Sequence, residues 1–374
     1  MLFKDIVGQT ELKESLRRRI RSGDISHANM FVGPEGSGHF PLAMAFARYA
    51  CCPNRTDDDS CGTCDVCQKF DSYQYADLHF TFPIYKKSER SVSAGFMSEW
   101  RELLSTGAYF DFEQWLAMLN AETKQLKMYV DEASEIVQQL SLKSYEGRYK
   151  IQVIWMPELL GNDVSNKLLK VIEEPPADTL FLMVGNSVDR VLGTIVSRTQ
   201  IVHVNVIDDD DMVKVLMEKH GSNQEDANDI AHFVEGNYVK ALRVMNDNGG
   251  QEAFLARFRD WMRSCYKRDA KQISVFAQEM GKGSREAQKQ FLGYTLHFVR
   301  QCIVSNYGEV DLARFTREEQ SFASKFAPFI HHKNVISITE LLNEAFRDVE
   351  RNANQRLVFM DLSLKMHQEL HRKQ

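Results

Sequence analysis

Eight residues, Gly33 to Phe40, constrain the fold of this chain more than any other stretch. An apolar run, Ala28–Val32, precedes them, and an alanine-rich helical pattern, Leu42–Ala50, follows them. A strand, a glycine turn and a helix in this order form a phosphate-binding loop, because the loop N–H groups and the helix N-terminus then point at one anion. The stretch therefore predicts the scaffold of a nucleotide-binding site.

The reactive parts of such a site are absent. A functional loop continues as G-x-x-x-x-G-K-[ST], with Lys on the β/γ-phosphates and a hydroxyl on Mg²⁺. Here Gly33, Gly36 and Gly38 are followed by His39 and Phe40. A histidine with an ordinary pKa of about 6.5 is mostly neutral at pH 7, and phenylalanine offers no oxygen to a hard cation. We therefore expect this degenerate loop not to bind ATP.

Four cysteines after the helix have a spacing typical of a metal site. They are Cys52, Cys61, Cys64 and Cys67, so that two C-x-x-C steps share Cys64. Four thiolates in a short polar loop suit structural Zn²⁺, which is tetrahedral and fully ligated by protein. Cys51 is an alternative first ligand, although we expect it to point into a helix interface. Free thiols or a redox pair would explain the regular spacing poorly.

Composition restricts the class of protein. A length of 374 residues predicts two or three domains, and 43% hydrophobic residues can build real cores. A net charge of −6 argues against a broad surface that coats nucleic acid. No apolar stretch reaches the ~18 residues of a membrane span, and the start has no apolar signal region. We expect no membrane association, a cytoplasmic location and reduced cysteines.

Strands and helices alternate in the first part of the chain. Apolar runs predict strands at residues 28–32, 76–83, 150–156, 179–184 and 201–204, with helical patterns between them. This alternation predicts an α/β fold with a doubly wound parallel sheet. Residues 84–125 interrupt it, and we interpret them as an insertion whose aromatic side chains pack onto the domain. A partner surface is the alternative role of these aromatic residues, which are Trp100, Tyr109, Phe110, Phe112 and Trp115.

Three domains are expected. The first, residues 1–205, contains the zinc module (52–67) and the insertion (84–125). The acidic run Asp208–Asp211 marks its end, and residues 206–248 form a helical lid. The third domain is residues 249–374, which begins with a linker at Gly249-Gly250 and is expected to be helical after it.

These features together resemble the bacterial replicative clamp-loader subunits of the AAA+ class, in particular the delta-prime family of DNA polymerase III subunits. The resemblance runs nearly end to end. It rests on the opening Phe3–Gln9, the glycine loop, the cysteine module, the N-x-L-L-K-x-x-E-E-P-P pattern of Asn166–Pro176, and Ser197-Arg198. It implies an AAA+ domain, a lid, and a helical collar domain that joins subunits into a ring. The apolar circumference of residues 287–305 (Phe291, Tyr294, Phe298, Ile303) suits a collar, and a self-contained bundle is the alternative.

Two further departures from the motor subunits of this family bear on ATP chemistry. In those subunits a buried strand ends in an Asp-Glu pair that holds Mg²⁺ and orients water, whereas this chain has Trp155 and Met156. Their lid carries Gly-x-x-Arg-x-Ala-Leu, and Val239 takes the arginine position here. Glu158 falls two places beyond the position of the catalytic acid, so we assign it a structural role. The resemblance therefore implies a subunit without its own ATPase activity.

The resemblance also implies partners and a catalytic contribution in trans. Ser197 and Arg198 match a pair that is presented to ATP on the adjacent subunit. The implied partners are gamma/tau-like motor and delta-like subunits, with the sliding clamp and primed DNA reached through the complex. A catalytically active gamma/tau-like ATPase is the alternative. A zinc-finger DNA reader is weaker, because the cysteine loop is acidic and would repel phosphates.

Overall fold

The structure is a computed structural model in which two compact units are distinguished. The first contains residues 1–227 and 234–242, and the second contains residues 228–233 and 243–374. The residues described are 1–87, 91–121, 124–145, 148–246, 250–308, 313–351 and 353–372. The domain boundaries at residues 205 and 248 stay predictions. Residue 249 of the predicted linker lies outside the described residues, as do residues 88–90 and 122–123 of the insertion.

A parallel five-stranded sheet lies at the centre of the first unit, as predicted. Its strands are β1 (Ala28–Val32), β2 (Leu78–Thr81), β3 (Lys150–Trp155), β4 (Thr179–Gly185) and β5 (Gln200–His203). They are arranged in the order β2-β3-β4-β1-β5, so β1 pairs with both β4 and β5. Every residue of β1, β3 and β4 is buried, which accounts for their nearly continuous apolar runs.

Helices cover both faces of this sheet and continue beyond it. They are α1 (Thr10–Ser22), α2 (His39–Cys51), α3 (Asp65–Asp71), α4 (Met97–Thr106), α5 (Phe112–Met118), α6 (Val130–Ser141), α7 (Asn162–Glu173), α8 (Gly193–Val196), α9 (Asp209–His220), α10 (Gln224–Val234) and α11 (Tyr238–Asn246). One face packs on α1, α2 and the insertion, and the other on α6 and α7. The sequence pattern did not predict α3, because seven residues are too few to establish a helical period.

The second unit is helical, as expected for the C-terminal region. Its helices are α12 (Gly250–Lys267), α13 (Ala270–Lys282), α14 (Arg285–Tyr307), α15 (Arg317–Phe326), α16 (Val335–Glu350) and α17 (Gln355–Leu370). Phe291, Tyr294 and Phe298 of α14 are almost fully buried within this unit. These three side chains pack inside the unit and are therefore not free to contact a partner. Across the described ranges, no helix is both long enough and apolar enough to cross a membrane.

Candidate functional site

The glycine loop connects β1 to α2, as predicted. Gly38 is the N-cap of α2, and both Gly36 (φ +74°) and Gly38 (φ +93°) have left-handed backbone angles. Such angles favour glycine because a Cβ atom would be strained. A side chain at Gly33 would also clash with the Val204 carbonyl. The tight turn of a phosphate-binding loop is therefore retained in this chain.

Residues from the start of α11 close one side of the loop. A Cβ atom at Gly36 would overlap the side chain of Asn237. The Tyr238 N–H donates a hydrogen bond of 3.2 Å to the Gly36 carbonyl, and Asn237 Oδ1 accepts one of 2.9 Å from the Lys240 N–H. The segment that resembles the sensor element of a motor subunit is thus bonded directly to the glycine loop.

Tyr109 of the insertion closes another side. Its hydroxyl would lie 3.1 Å from a Cβ atom at Gly38, and it accepts a 2.9 Å hydrogen bond from the Val7 N–H. The Tyr109 ring packs edge-on against Tyr238, with 4.7 Å between ring centroids. The Tyr238 hydroxyl in turn lies 2.8 Å from His220 Nε2 of α9. Protein side chains thus line the space beside the loop glycines.

His39 stands where a functional loop has lysine. Its side chain is only 7% exposed, and burial lowers its pKa to about 4. The Ser37 hydroxyl lies 3.2 Å from its Nδ1 atom. The imidazole is therefore neutral at pH 7, and this position carries no charge that would attract a triphosphate.

An aromatic cluster fills the positions that the resemblance assigns to Mg²⁺ ligands. Phe40 packs against Phe110 at 4.7 Å and against Trp100 at 6.2 Å between ring centroids. Trp155 packs against the same two rings, at 5.4 and 5.2 Å. Both partners belong to the insertion, and Trp100 is fully buried. These aromatic residues thus pack onto the domain as expected, and they join the two degenerate positions into one apolar cluster.

That joint packing was missed at the level of sequence. The sequence did contain one indication of it. Positions 40 and 155 are both polar in an ATPase, and both are large aromatic residues here. Val239, at the arginine position of the lid element, is buried as well. Glu158 accepts a 2.9 Å hydrogen bond from the Asn186 N–H at the end of β4, and burial raises its pKa. This contact is compatible with its assigned structural role.

The four predicted cysteines form the second site. Their Sγ atoms all lie within 4.8 Å of one another, with Cys52 to Cys61 at 3.7 Å and Cys61 to Cys67 at 3.9 Å. Tetrahedral Zn²⁺ with Zn–S bonds of about 2.3 Å requires sulfurs about 3.8 Å apart. The Cys64 N–H also points at Cys61 Sγ, at 3.4 Å. The donor set therefore fits a structural zinc ion, and Cys51 is buried outside the cluster.

The cysteine module is anchored to the sheet domain by arginines. Arg48 of α2 is 2% exposed and forms two hydrogen bonds with Asp71 at the end of α3, at 2.5 and 3.0 Å. Arg17 and Arg21 of α1 donate to backbone carbonyls of the module, at 2.6 and 2.7 Å. Two arginines of α1 therefore help to hold the module on the domain.

Ser197 and Arg198 follow α8 directly and precede β5. Arg198 Nε lies 3.2 Å from a Glu173 carboxylate oxygen, and its Nη1 donates to the Thr194 carbonyl at 2.9 Å. The Arg198 side chain remains one-third exposed, and Glu173 is more than half exposed. The structure thus brings together two motifs of the resemblance, the end of Asn166–Pro176 and the Ser-Arg pair.

Comparison with known proteins identifies a family and several relatives. Residues 8–208, just over half of the chain, match the family described as DNA polymerase III, delta subunit. The gamma subunit of DNA polymerase III from Buchnera aphidicola is 23% identical over 248 residues, which are 65% of this chain and 57% of that protein. The tau subunit from Escherichia coli is 24% identical over 247 residues, 65% of this chain and 32% of that protein.

A solved structure of a gamma subunit-related protein of DNA polymerase III from Thermotoga maritima covers 96% of this chain, at 13% identity and a TM-score of 0.46. The chain spans about a third to somewhat more than half of the length of the two sequence relatives. The family match itself contains the glycine loop, the cysteine module, the aromatic cluster and the Ser-Arg pair. On that match, the chain belongs to the DNA polymerase III delta-subunit family.

Proposed function

We propose that this chain is a delta-prime-like subunit of the DNA polymerase III clamp loader that does not hydrolyse ATP. It would help to load the sliding clamp onto primed DNA, together with gamma/tau-like motor and delta-like subunits. One observation carries the proposal: the positions for Mg²⁺ ligands are two packed aromatic rings, while Tyr109 and Tyr238 line the loop. Neither of these two packed rings offers an oxygen ligand to the metal of Mg-ATP.

Arg198, oriented by Ser197, is proposed to act on ATP bound to the neighbouring motor subunit. A guanidinium group stays charged and its planar fork engages two phosphate oxygens at once. Arg198 now pairs with Glu173, and exposed pairs of this kind contribute only about 0–1 kcal/mol. The arginine can therefore exchange that partner for a phosphate at little cost in free energy.

Two measurements test the proposal. The isolated chain should show no saturable binding of labelled ATP with Mg²⁺, because His39 and Phe40 supply neither charge nor metal ligand. In the reconstituted complex, Arg198→Ala should slow ATP hydrolysis ~10³-fold or more at the motor site that it serves, the usual contribution of an arginine finger, and so sharply reduce DNA- and clamp-stimulated hydrolysis. Arg198→Lys should also fail, since lysine lacks the bidentate fork. Arg190→Ala, at another exposed arginine, is the matched control.

The relatives named gamma and tau favour one second candidate, a hydrolysing clamp-loader ATPase. Micromolar ATP affinity that is lost when Gly38 becomes a bulky residue would support that candidate. If a complex containing Arg198→Ala hydrolyses ATP at the wild-type rate, the role of Arg198 as an arginine finger is wrong. That result would leave the other part of the proposal, the absence of ATP hydrolysis by this chain, unaffected.

A further inference from the structure

The second unit contains an apolar cavity that the proposed function does not use. It has a volume of about 160 Å³ and lies between α12, α15 and the end of α17. Its floor consists of Met262, Phe326 and Leu370, all of which are buried. A cavity of about 150 Å³ with apolar walls accommodates a benzene molecule. This cavity therefore has room for one aromatic or large aliphatic side chain.

Exposed aromatic rings form the mouth of the cavity. Tyr266 is 44% exposed and Phe329 is 37% exposed, and their rings meet edge-to-face at 5.2 Å. Phe322 stacks on the buried Phe326 at 5.4 Å on the α15 side. Large aromatic surface that stays in contact with water is typical of positions where a partner binds.

The rim of the cavity is cationic. Arg263, Lys267 and Lys325 line it, and no carboxylate is among its lining residues. Within the described part of the chain, Lys267 and Lys325 have no ion-pair partner, while Arg263 has one exposed contact with Asp260 at 3.5 Å. The whole chain carries a net charge of −6, so this concentration of positive charge departs from its average. The rim is complementary to an acidic ligand.

We propose that this cavity binds an acidic segment of a partner protein. One aromatic or large aliphatic side chain of the segment enters the cavity, and flanking carboxylates contact the three rim cations. An apolar anchor surrounded by complementary charges combines burial, which provides affinity, with electrostatic attraction, which orients the segment. The inference does not depend on Arg198 or on the closed cleft, which is the space beside Gly36 and Gly38 that Tyr109 and Tyr238 line. Neither Arg198 nor any residue of that cleft lines the cavity.

The test uses the full chain and a fluorescein-labelled peptide with one phenylalanine between two runs of aspartate. Fluorescence anisotropy should show saturable binding that weakens as salt is added, because salt screens the rim charges. The double change Lys267→Glu and Lys325→Glu should weaken binding by about tenfold or more, since like charges then face each other. Phe329→Ser should weaken it through loss of apolar contact.

Two controls separate this site from general attraction of acidic peptides. Lys282→Glu changes an exposed lysine of the same unit that does not line the cavity, and it should leave binding unchanged. The same peptide with serine in place of phenylalanine should lose most of its affinity. The proposal is overturned if that peptide binds as tightly as the original, if the doubly reversed variant binds like wild type, or if no saturable binding occurs at low salt.

Discussion

At Phe40 and Trp155, introducing the polar residue of a motor subunit at one position alone would not create a Mg²⁺ site. Each ring contacts both Trp100 and Phe110, so replacing Phe40 by serine would leave a polar hydroxyl among aromatic rings. Burying a hydroxyl without a partner is unfavourable by about 1–3 kcal/mol in proteins. A Mg²⁺ site would require simultaneous changes in the loop, β3 and the insertion.

At the same scale, His39 should make stability depend on pH. Its pKa is about 4 in the folded chain and about 6.5 when unfolded, so only the unfolded chain takes up this proton between those values. The stability that it contributes is complete above pH 6.5 and is lost as the pH falls towards 4. By linkage, the free energy of unfolding falls by about 3 kcal/mol between pH 6.5 and pH 4.

Urea unfolding across this pH range measures the effect. His39→Asn keeps an acceptor near Ser37 but cannot be protonated, so its stability should fall less on acidification than that of the wild type. His27→Asn, at an exposed histidine before β1, should follow the wild-type curve. Parallel curves for wild type and His39→Asn would show that burial of His39 does not set the pH dependence.

Tyr109 provides a second test, of the closed cleft. Tyr109→Phe removes the acceptor of the Val7 N–H, and we expect a loss of about 1 kcal/mol in the free energy of unfolding. Tyr109→Ala also removes the ring between Gly38 and Tyr238, and we expect about 2–4 kcal/mol. Tyr145→Phe, at a ring that is 84% exposed, is the control. Equal stability of Tyr109→Ala and wild type would mean that this ring does not hold the cleft closed.

At the scale of elements, we expect the fold of the cysteine module to depend on a bound zinc ion. Residues 53–60 are polar, and α3 has only seven residues, too few for an isolated helix to be stable. The cluster of four cysteine side chains and the Arg48–Asp71 pair hold this segment on the domain. Zinc binding and local folding are therefore expected to be coupled.

Cys64→Ser should consequently lose the zinc ion and unfold the module, while the parallel sheet survives. Elemental analysis should give one zinc per wild-type chain and much less for the variant, and hydrogen exchange should localise the unfolding to residues 53–71. Cys51→Ala changes the adjacent cysteine outside the cluster and should retain the metal. Absence of stoichiometric zinc from wild-type protein purified without chelators would reject the assignment.

At the scale of the whole molecule, the two units divide the work that we propose. The α/β unit carries the closed cleft, the cysteine module and Arg198, and we propose that the helical unit acts in assembly. The division does not fall between helices, because residues 228–233 of α10 belong to the second unit. Phe233 is 6% exposed there, with its ring 5.4 Å from that of His297.

A chain that ends at Asn246 should therefore fold and bind zinc but not join the clamp loader. Removal of residues 247–374 takes away His297 and exposes Phe233, so the fragment should associate with itself more than the full chain does. Phe233→Ser within the fragment should relieve this association, which light scattering measures. Normal incorporation of the fragment into the complex would contradict the assembly role of the helical unit.

The sequence by itself determined the local features of this protein. Apolar runs located the five strands, because buried parallel strands are apolar on both faces, and the cysteine spacing identified all four members of the cluster. The sequence also showed that the glycine loop lacks its lysine and its hydroxyl, since a loop motif assigns these groups to fixed positions. The sequence did not predict α3, because that helix is too short to show a period. The apolar face of α14 was visible in the sequence, but its periodicity does not tell which neighbour buries it.

Only the tertiary structure decided how the cleft is closed. The Val7 N–H and the Tyr109 hydroxyl are 102 residues apart in sequence, and Asn237 reaches Gly36 from beyond the end of the sheet. The same holds for Arg17 and Arg21. The helical pattern of α1 could not identify their partners in the cysteine module. Spacing along a chain records local geometry, whereas contacts between distant segments depend on how whole elements pack together.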